Sequence, residues 1–236
     1  MTGNSAMVSR RNPSTLGLLV LLTAAGLHAA APDPKTPQGK NLEVPVGWTV
    51  RLDKPDPKVV IGSNKEAAIF FVNMTPGWHV TTGPSAIFYH PDSVASGESR
   101  IEAVIHLFEP QGRHREAFGI FFGGAGLEGE KQAYDYFVIR NSGEFLIKRR
   151  NGSETPLLHP WTKSEAIVPH SEGKTSVKNV LAVEAGSETV RFFINGEQVA
   201  TLPRSEVRLD GIVGLRVNHH VNLHVEDLSI RPLPSK

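Results

Sequence analysis

Between Val190 and Val199 the chain reads V-R-F-F-I-N-G-E-Q-V. Apolar Val190, Phe192 and Ile194 alternate with Arg191 and Phe193, and Val199 resumes the apolar pattern after the turn. Asn195-Gly196 suits the two positive-φ positions of a type I′ turn, so the stretch predicts a two-residue β-hairpin. Most of the chain after residue 42 is written in this style, in short alternating runs broken by Gly, Pro and Asn. Arg100–Phe108 places Ile101, Ala103, Ile105 and Leu107 on one face. Tyr134–Arg140 and Glu144–Arg149 form a second hairpin across Asn141-Ser142-Gly143. Further strands are expected at 48–52, 59–61, 68–72, 78–81, 86–89, 118–122 and 179–185. The run 157–171 is expected to be a connection. Hairpins are also expected around Gly83-Pro84 and across Asn218-His219-His220, the latter joining 211–217 to 221–230. In that last strand Leu228 and Ile230 fall one position out of phase with Val221, Leu223 and Val225, which predicts a β-bulge near Glu226-Asp227. No stretch past the leader keeps a helical period for three turns, and no repeat is seen. The pattern is that of an all-β sandwich or barrel.

The N-terminus differs. Arg10-Arg11, an apolar run from Leu16 to Leu27 and then Ala29-Ala30-Ala31 read as a secretory signal over residues 1–31, too short in its apolar part to span a bilayer. Residues 32–41 read as a linker and 42–236 as one domain. Export makes a secreted or periplasmic location the expectation. Removing the leader leaves about 205 residues, ample for one sandwich. The formal charge falls from +1 to −1 as Arg10 and Arg11 leave, so no basic field remains to attract nucleic acid. The chain has no cysteine, so it must be held by core packing alone. No membrane span is expected in the mature protein.

Phe121-Phe122-Gly123-Gly124, Tyr134-x-Tyr136-Phe137-x-Ile139 with Gly143-x-Phe145-x-Ile147, Asn179-x-Leu181-x-Val183, Phe192-Phe193-Ile194-Asn195-Gly196 and Gly211-x-Val213-Gly214-Leu215 recur in that order. This resembles the concanavalin A-like lectin/glucanase superfamily, and within it the laminin-G-like or 3-keto-disaccharide hydrolase-like jelly rolls of secreted bacterial proteins. The likeness covers roughly residues 75 to 231 and implies a two-sheet antiparallel jelly roll whose concave face meets a glycan. The matching positions are turn and core residues, so they speak to fold. The E-x-D-x-x-E or E-x-D-x-E strand of the retaining glucanases is missing; Glu98, Arg100 and Glu102 come nearest in spacing and lack the central Asp.

Three functional expectations follow. The leading one is an exported carbohydrate-binding domain, with Trp78, His79, Tyr89, His90, Arg113, Arg140 and Trp161 as the sugar-binding candidates, because a flat ring covers the apolar face of a pyranose and polar groups hold its hydroxyls. The second is a glycoside hydrolase or related sugar-cleaving enzyme. It needs an acid and a base flanking the bond, for which Glu102, Glu116, Asp135 and His106 are the candidates. The third is a structural or adhesion domain without a small ligand. Gly124-Ala125-Gly126-Leu127-Glu128-Gly129 spells G-x-G-x-x-G, but no helix follows to receive a pyrophosphate, so it reads as a loop between strands. His219, His220 and His224 do not read as a compact metal site, since His220 and His224 lie about 13 Å apart by strand rise. No cofactor is expected from the residues, and calcium is the one metal that the resemblance admits.

Overall fold

Asn195 and Gly196 take φ values of 51° and 85°, the left-handed pair that a type I′ turn requires, and they join strands β11 (Thr189–Ile194) and β12 (Glu197–Pro203). The computed structural model describes Met1 and residues 43–62, 68–72, 74–110 and 115–234. Apart from Met1, the signal and linker expected over residues 1–41 lie outside the described residues. Two seven-stranded sheets build the fold. In the first, β1 (Thr49–Leu52), β4 (Ala86–Ala95), β13 (Gly211–Val217), β6 (Ala117–Ala125), β7 (Ala133–Arg140), β8 (Glu144–Asn151) and β9 (Leu157–Lys163) lie in that order. In the second the order is β12, β11, β10 (Ser176–Ala185), β5 (Ser99–Phe108), β14 (Asn222–Pro232), β3 (Trp78–Thr82) and β2 (Ile69–Val72). All strand pairings are antiparallel. The protein is an all-β jelly-roll sandwich. Among the described residues no helix is long and apolar enough to cross a membrane.

The core is the set of inward positions that period-two alternation selects. Ile101, Ala103, Ile105 and Leu107 on β5 meet Phe118, Ile120 and Phe122 on β6, Phe137 and Ile139 on β7, and Leu215 and Val217 on β13. The expected bulge is present: the register of β14 on β5 shifts between Val225 and Asp227, so that Leu223, Val225, Leu228 and Ile230 all pack against the core.

Four expectations change. The turns at Gly83-Pro84 and Asn218–His220 do not close hairpins. β3 and β14 belong to the second sheet while β4 and β13 belong to the first, so both turns carry the chain across the sandwich. The two crossings brace each other: Thr82 Oγ1 donates to the Asn218 carbonyl at 2.7 Å, and the His220 amide donates to the Gly83 carbonyl at 3.2 Å. Local turn chemistry reports that a chain reverses, and long-range packing decides which sheet receives it. Residues 157–163, expected in a connection, form edge strand β9, where Pro160 is tolerated because an edge leaves one row of amides unpaired. The strand expected at 59–61 reduces to one bridge between Ile61 and Ile69.

Candidate functional site

Alternation along the first sheet turns a second set of side chains away from the core. On that outer face Tyr89 (β4), Phe121 (β6), Tyr134 and Tyr136 (β7) form a buried aromatic cluster, with ring centroids of Phe121 and Tyr134 5.1 Å apart and of Tyr134 and Tyr136 5.8 Å apart. Gly214 makes room for it, since a β-carbon there would collide with the Phe88 carbonyl and the Phe121 ring. Arg216, two residues along β13, is 9% exposed and lies with its guanidinium carbon 5.8 Å from the Tyr136 ring centre. Both its terminal nitrogens donate to the carboxylate of Asp53, at 2.6 Å for Nη1 to Oδ1. Burial disfavours the Arg216 charge, but Asp53 and the two tyrosines outweigh it and hold its pKa above the ordinary value. Burial likewise raises the Tyr134 phenol and pushes the Tyr136 phenol up to about 12, against the opposing effect of Arg216. Both hydroxyls therefore stay protonated and able to donate at neutral pH.

Asp53, the partner of Arg216, also lines a groove of about 810 Å³, together with Arg51, Lys131, Gln132, Arg150 and Glu154 among others. Arg51 is tied to the wall through the Gly129 carbonyl at 3.1 Å. Two polar atoms of the lining are buried without a partner: the donor Arg150 Nε and the acceptor Gln132 Oε1. Gln132 is 2% exposed. Leaving such groups unpaired costs about 1–3 kcal/mol each. At the far end of β7, about 20 Å away by strand rise, Arg140 stacks on Trp161 of β9 at 4.1 Å from the ring centre. Arg140 is also paired with Glu144, whose pKa is lowered by its bonds to Ser142 and Arg140.

The residues expected from the sequence are distributed as follows. Arg140 and Trp161 come together on the outer face of the first sheet, and Tyr89 is buried in the aromatic cluster, outside the lining of the groove. Trp78 points into the sandwich against Trp48 and Phe71, at ring-centre distances of 4.8 and 5.7 Å. His90 covers Gly47, and its Nδ1 accepts the Asp92 amide at 3.2 Å. Arg113 lies outside the described residues. His79 is on the other sheet, fully buried, with its Nε2 hydrogen-bonded to Asn222 Oδ1. Burial and neighbouring His224 lower its pKa to about 4 against the opposing effect of Asn222.

The four catalytic candidates are not brought together. Glu102 lies on the second sheet between Arg100 and Arg231. His106, on the same strand, donates from Nε2 to the Glu226 carboxylate at 2.7 Å. Asp135 is buried between the sheets, where it accepts from Arg149 at 2.7 and 2.8 Å and from the Arg208 amide at 2.8 Å. Glu116 sits 3.8 Å from His219 Nδ1, and Ser85 Oγ lies 2.8 Å from that nitrogen and 3.3 Å from Nε2. Among the described residues no group of three His, Cys, Asp or Glu side chains stands ready to hold a metal ion.

Sequence reading missed Arg51, Asp53, Gln132, Arg150 and Arg216. Arg216 did leave a signal: it is the single charge within G-I-V-G-L-R-V, and a lone cation in an apolar strand needs a buried partner. The partner, Asp53, is 163 residues away in sequence, which no local pattern can reveal.

No family model and no curated protein sequence matches the chain. Solved structures do. The carbohydrate-binding module CBM66 from Bacillus subtilis is 13% identical with a TM-score of 0.55, covering 78% of this chain and 95% of its own. A Bacteroides ovatus mixed-linkage glucan GH16 in complex with its G4G4G3G product is 11% identical with a TM-score of 0.52, covering 82% of this chain and 98% of its own. A Bacillus subtilis protein of unknown function with a galectin-like fold is 10% identical with a TM-score of 0.52, covering 78% and 88%. The fold is that of the concanavalin A-like jelly rolls, as the sequence resemblance implied.

Proposed function

We propose that this chain is an exported carbohydrate-binding domain that holds a glycan against the outer, concave face of its first sheet, in the groove between Arg51 and Arg150. The observation that carries the reading is a groove whose lining combines cationic, anionic and amide side chains, Arg51, Lys131 and Arg150 with Asp53, Glu154 and Gln132. A sugar hydroxyl both donates and accepts, so hydroxyls of one ligand match the cationic donors and the carboxylate and amide oxygens of this lining. The lining thus carries hydrogen-bonding groups of both kinds, and Trp161, 37% exposed and stacked on Arg140, offers an aromatic edge for a longer chain. Two of the similar structures are by name a carbohydrate-binding module and a glucan-bound hydrolase, and the leader sequence supports export. The catalytic candidates are dispersed and engaged in pairs of their own, which favours binding over cleavage.

The test is a glycan array with neutral and acidic oligosaccharides, run beside a hydrolysis screen on the same sugars. A bound sugar without turnover is expected. Arg150→Met and Gln132→Leu should each weaken it about tenfold or more, the equivalent of one charge-assisted or buried hydrogen bond. Affinity unchanged in both variants, or release of product sugars, overturns the reading.

A further inference from the structure

The charges that line the groove are unevenly placed. Elsewhere Arg100, Arg140 and Arg149, all half-buried, each hold a carboxylate: Glu184 and Glu144 at 2.6 Å and Asp135 at 2.7 Å. Arg51 and Arg150 are also half-buried, and both line the groove. Neither has a carboxylate partner among the described residues, and nor does Lys131 beside them. Arg51 donates only to the carbonyls of Leu52 and Gly129, at 3.2 and 3.1 Å. Carbonyl oxygens solvate a cation without neutralising it.

The carboxylates of the lining do not redress this. Asp53 is committed to Arg216 through both its oxygens, so that pair adds no net charge. Glu130 and Glu154 are exposed, where water and salt screen them. The strands meanwhile gather the guanidiniums. Arg51 and Arg216 share one transverse row across β1, β4 and β13 with Ile87 between them, about 10 Å apart at the usual strand spacing. Arg150 lies opposite Tyr134 in the pairing of β8 with β7. Burial raises the Tyr134 phenol pKa; Arg216, Arg150 and Arg51 each act against that rise, and Asp53 adds to it. Three cations and one anion therefore set the field at this hydroxyl.

A neutral sugar entering the groove would strip water from Arg51 and Arg150 and return no opposite charge, which is costly for a cation. An anionic group returns it, through charge-assisted bonds about twice as strong as neutral ones. We infer that the groove selects an acidic glycan, whose carboxylate or sulfate group is held by the Arg51 and Arg150 guanidiniums with Lys131 beside them. This rests on the glycan reading of the groove and narrows it to a substrate class. The hydroxyls of the same sugar are left for the amide and carboxylate oxygens of the lining.

The experiment uses the full chain and pairs of probes that differ in charge alone. One pair is an oligogalacturonate and its methyl ester; the other is a sulfated galactan oligosaccharide and its desulfated form. The acidic and neutral sugars retained by the glycan array are measured beside them. Acidic sugars should bind about tenfold tighter than their neutral counterparts, and their affinity alone should fall as ionic strength rises. The pair that responds tells a carboxylate from a sulfate. Arg51→Gln and Arg150→Gln should each remove most of the preference, and Arg51→Lys should keep part of it. Glu130→Gln/Glu154→Gln alters only exposed positions and should tighten the acidic probe. Neutral sugars bound as tightly as acidic ones, or a preference that survives both arginine-to-glutamine changes, overturn the inference and leave the glycan reading standing. Absence of binding to every glycan removes both.

Discussion

Replacing Asp53 by alanine strands the Arg216 guanidinium, and the cost follows from its surroundings. Arg216 is 9% exposed, packs on the Tyr136 ring and gives its terminal nitrogens to both Asp53 oxygens. Removing one partner of a fully buried pair costs about 3–5 kcal/mol. The Asp53 side chain keeps a quarter of its surface in solvent (25% exposed), so water replaces part of what is lost, and about 3 kcal/mol is expected. For a domain of this size that corresponds to a fall in Tm of about 6–12 °C. The double variant Asp53→Leu/Arg216→Met removes both charges and leaves an apolar side chain on the aromatic floor, so it should be more stable than Asp53→Ala alone. Thermal unfolding by circular dichroism, with urea unfolding as a check on the slope, measures both. A loss under about 1 kcal/mol in the single variant, or a double variant less stable than the single, would refute the buried-charge account of this site.

Other expectations concern the core and the second sheet. Asp135→Asn should destabilise the fold by about 2–4 kcal/mol, because Arg149 and the Arg208 amide lose a charged acceptor; sugar affinity per folded molecule should stay the same, and a selective loss of affinity would place Asp135 in the site. Gly214→Ala should cost about 2 kcal/mol or more by overpacking against Phe88 and Phe121, read as a fall in the urea midpoint at an unchanged slope. Acid should destabilise the protein before its carboxylates titrate. His79 is held at about 4 against an ordinary 6.5, and His224 is also lowered, both chiefly by burial. The unfolded chain thus binds more protons, and stability present above pH 6.5 is lost as pH falls toward 4, by about 3 kcal/mol from His79 alone. Tm should drop between pH 6.5 and 5 and the drop should shrink in His79→Phe; a flat profile over that interval contradicts the burial of a neutral His79.

Strand identity was legible where alternation was clean. The faces of β5, the Asn195-Gly196 turn and the bulge after Val225 can all be read from spacing alone, because side-chain period and turn dihedrals are local properties. The partners of β3, β4, β13 and β14 were not legible. Gly83-Pro84 and Asn218–His220 look like hairpin turns, and only packing of the two sheets sends their flanking strands apart. The same limit hid the sites. Arg216 is visible as an odd charge, but its match to Asp53 and its seat above Tyr136 are cross-strand facts. His79, His106 and His224 sit in three unrelated stretches of sequence, and the register of β14 between β3 and β5 makes them neighbours.

A glycan in the groove of the first sheet would leave a footprint on the residues that line it. Amide and side-chain chemical-shift mapping, with the best oligosaccharide from the array, tests it most directly. Perturbations centred on Arg51–Asp53, Lys131–Gln132 and Arg150–Glu154, with the Arg150 Nε–H resonance among the most shifted, are the predicted result. Shifts confined to the second sheet, or no saturable shift with any oligosaccharide on the array, would contradict it.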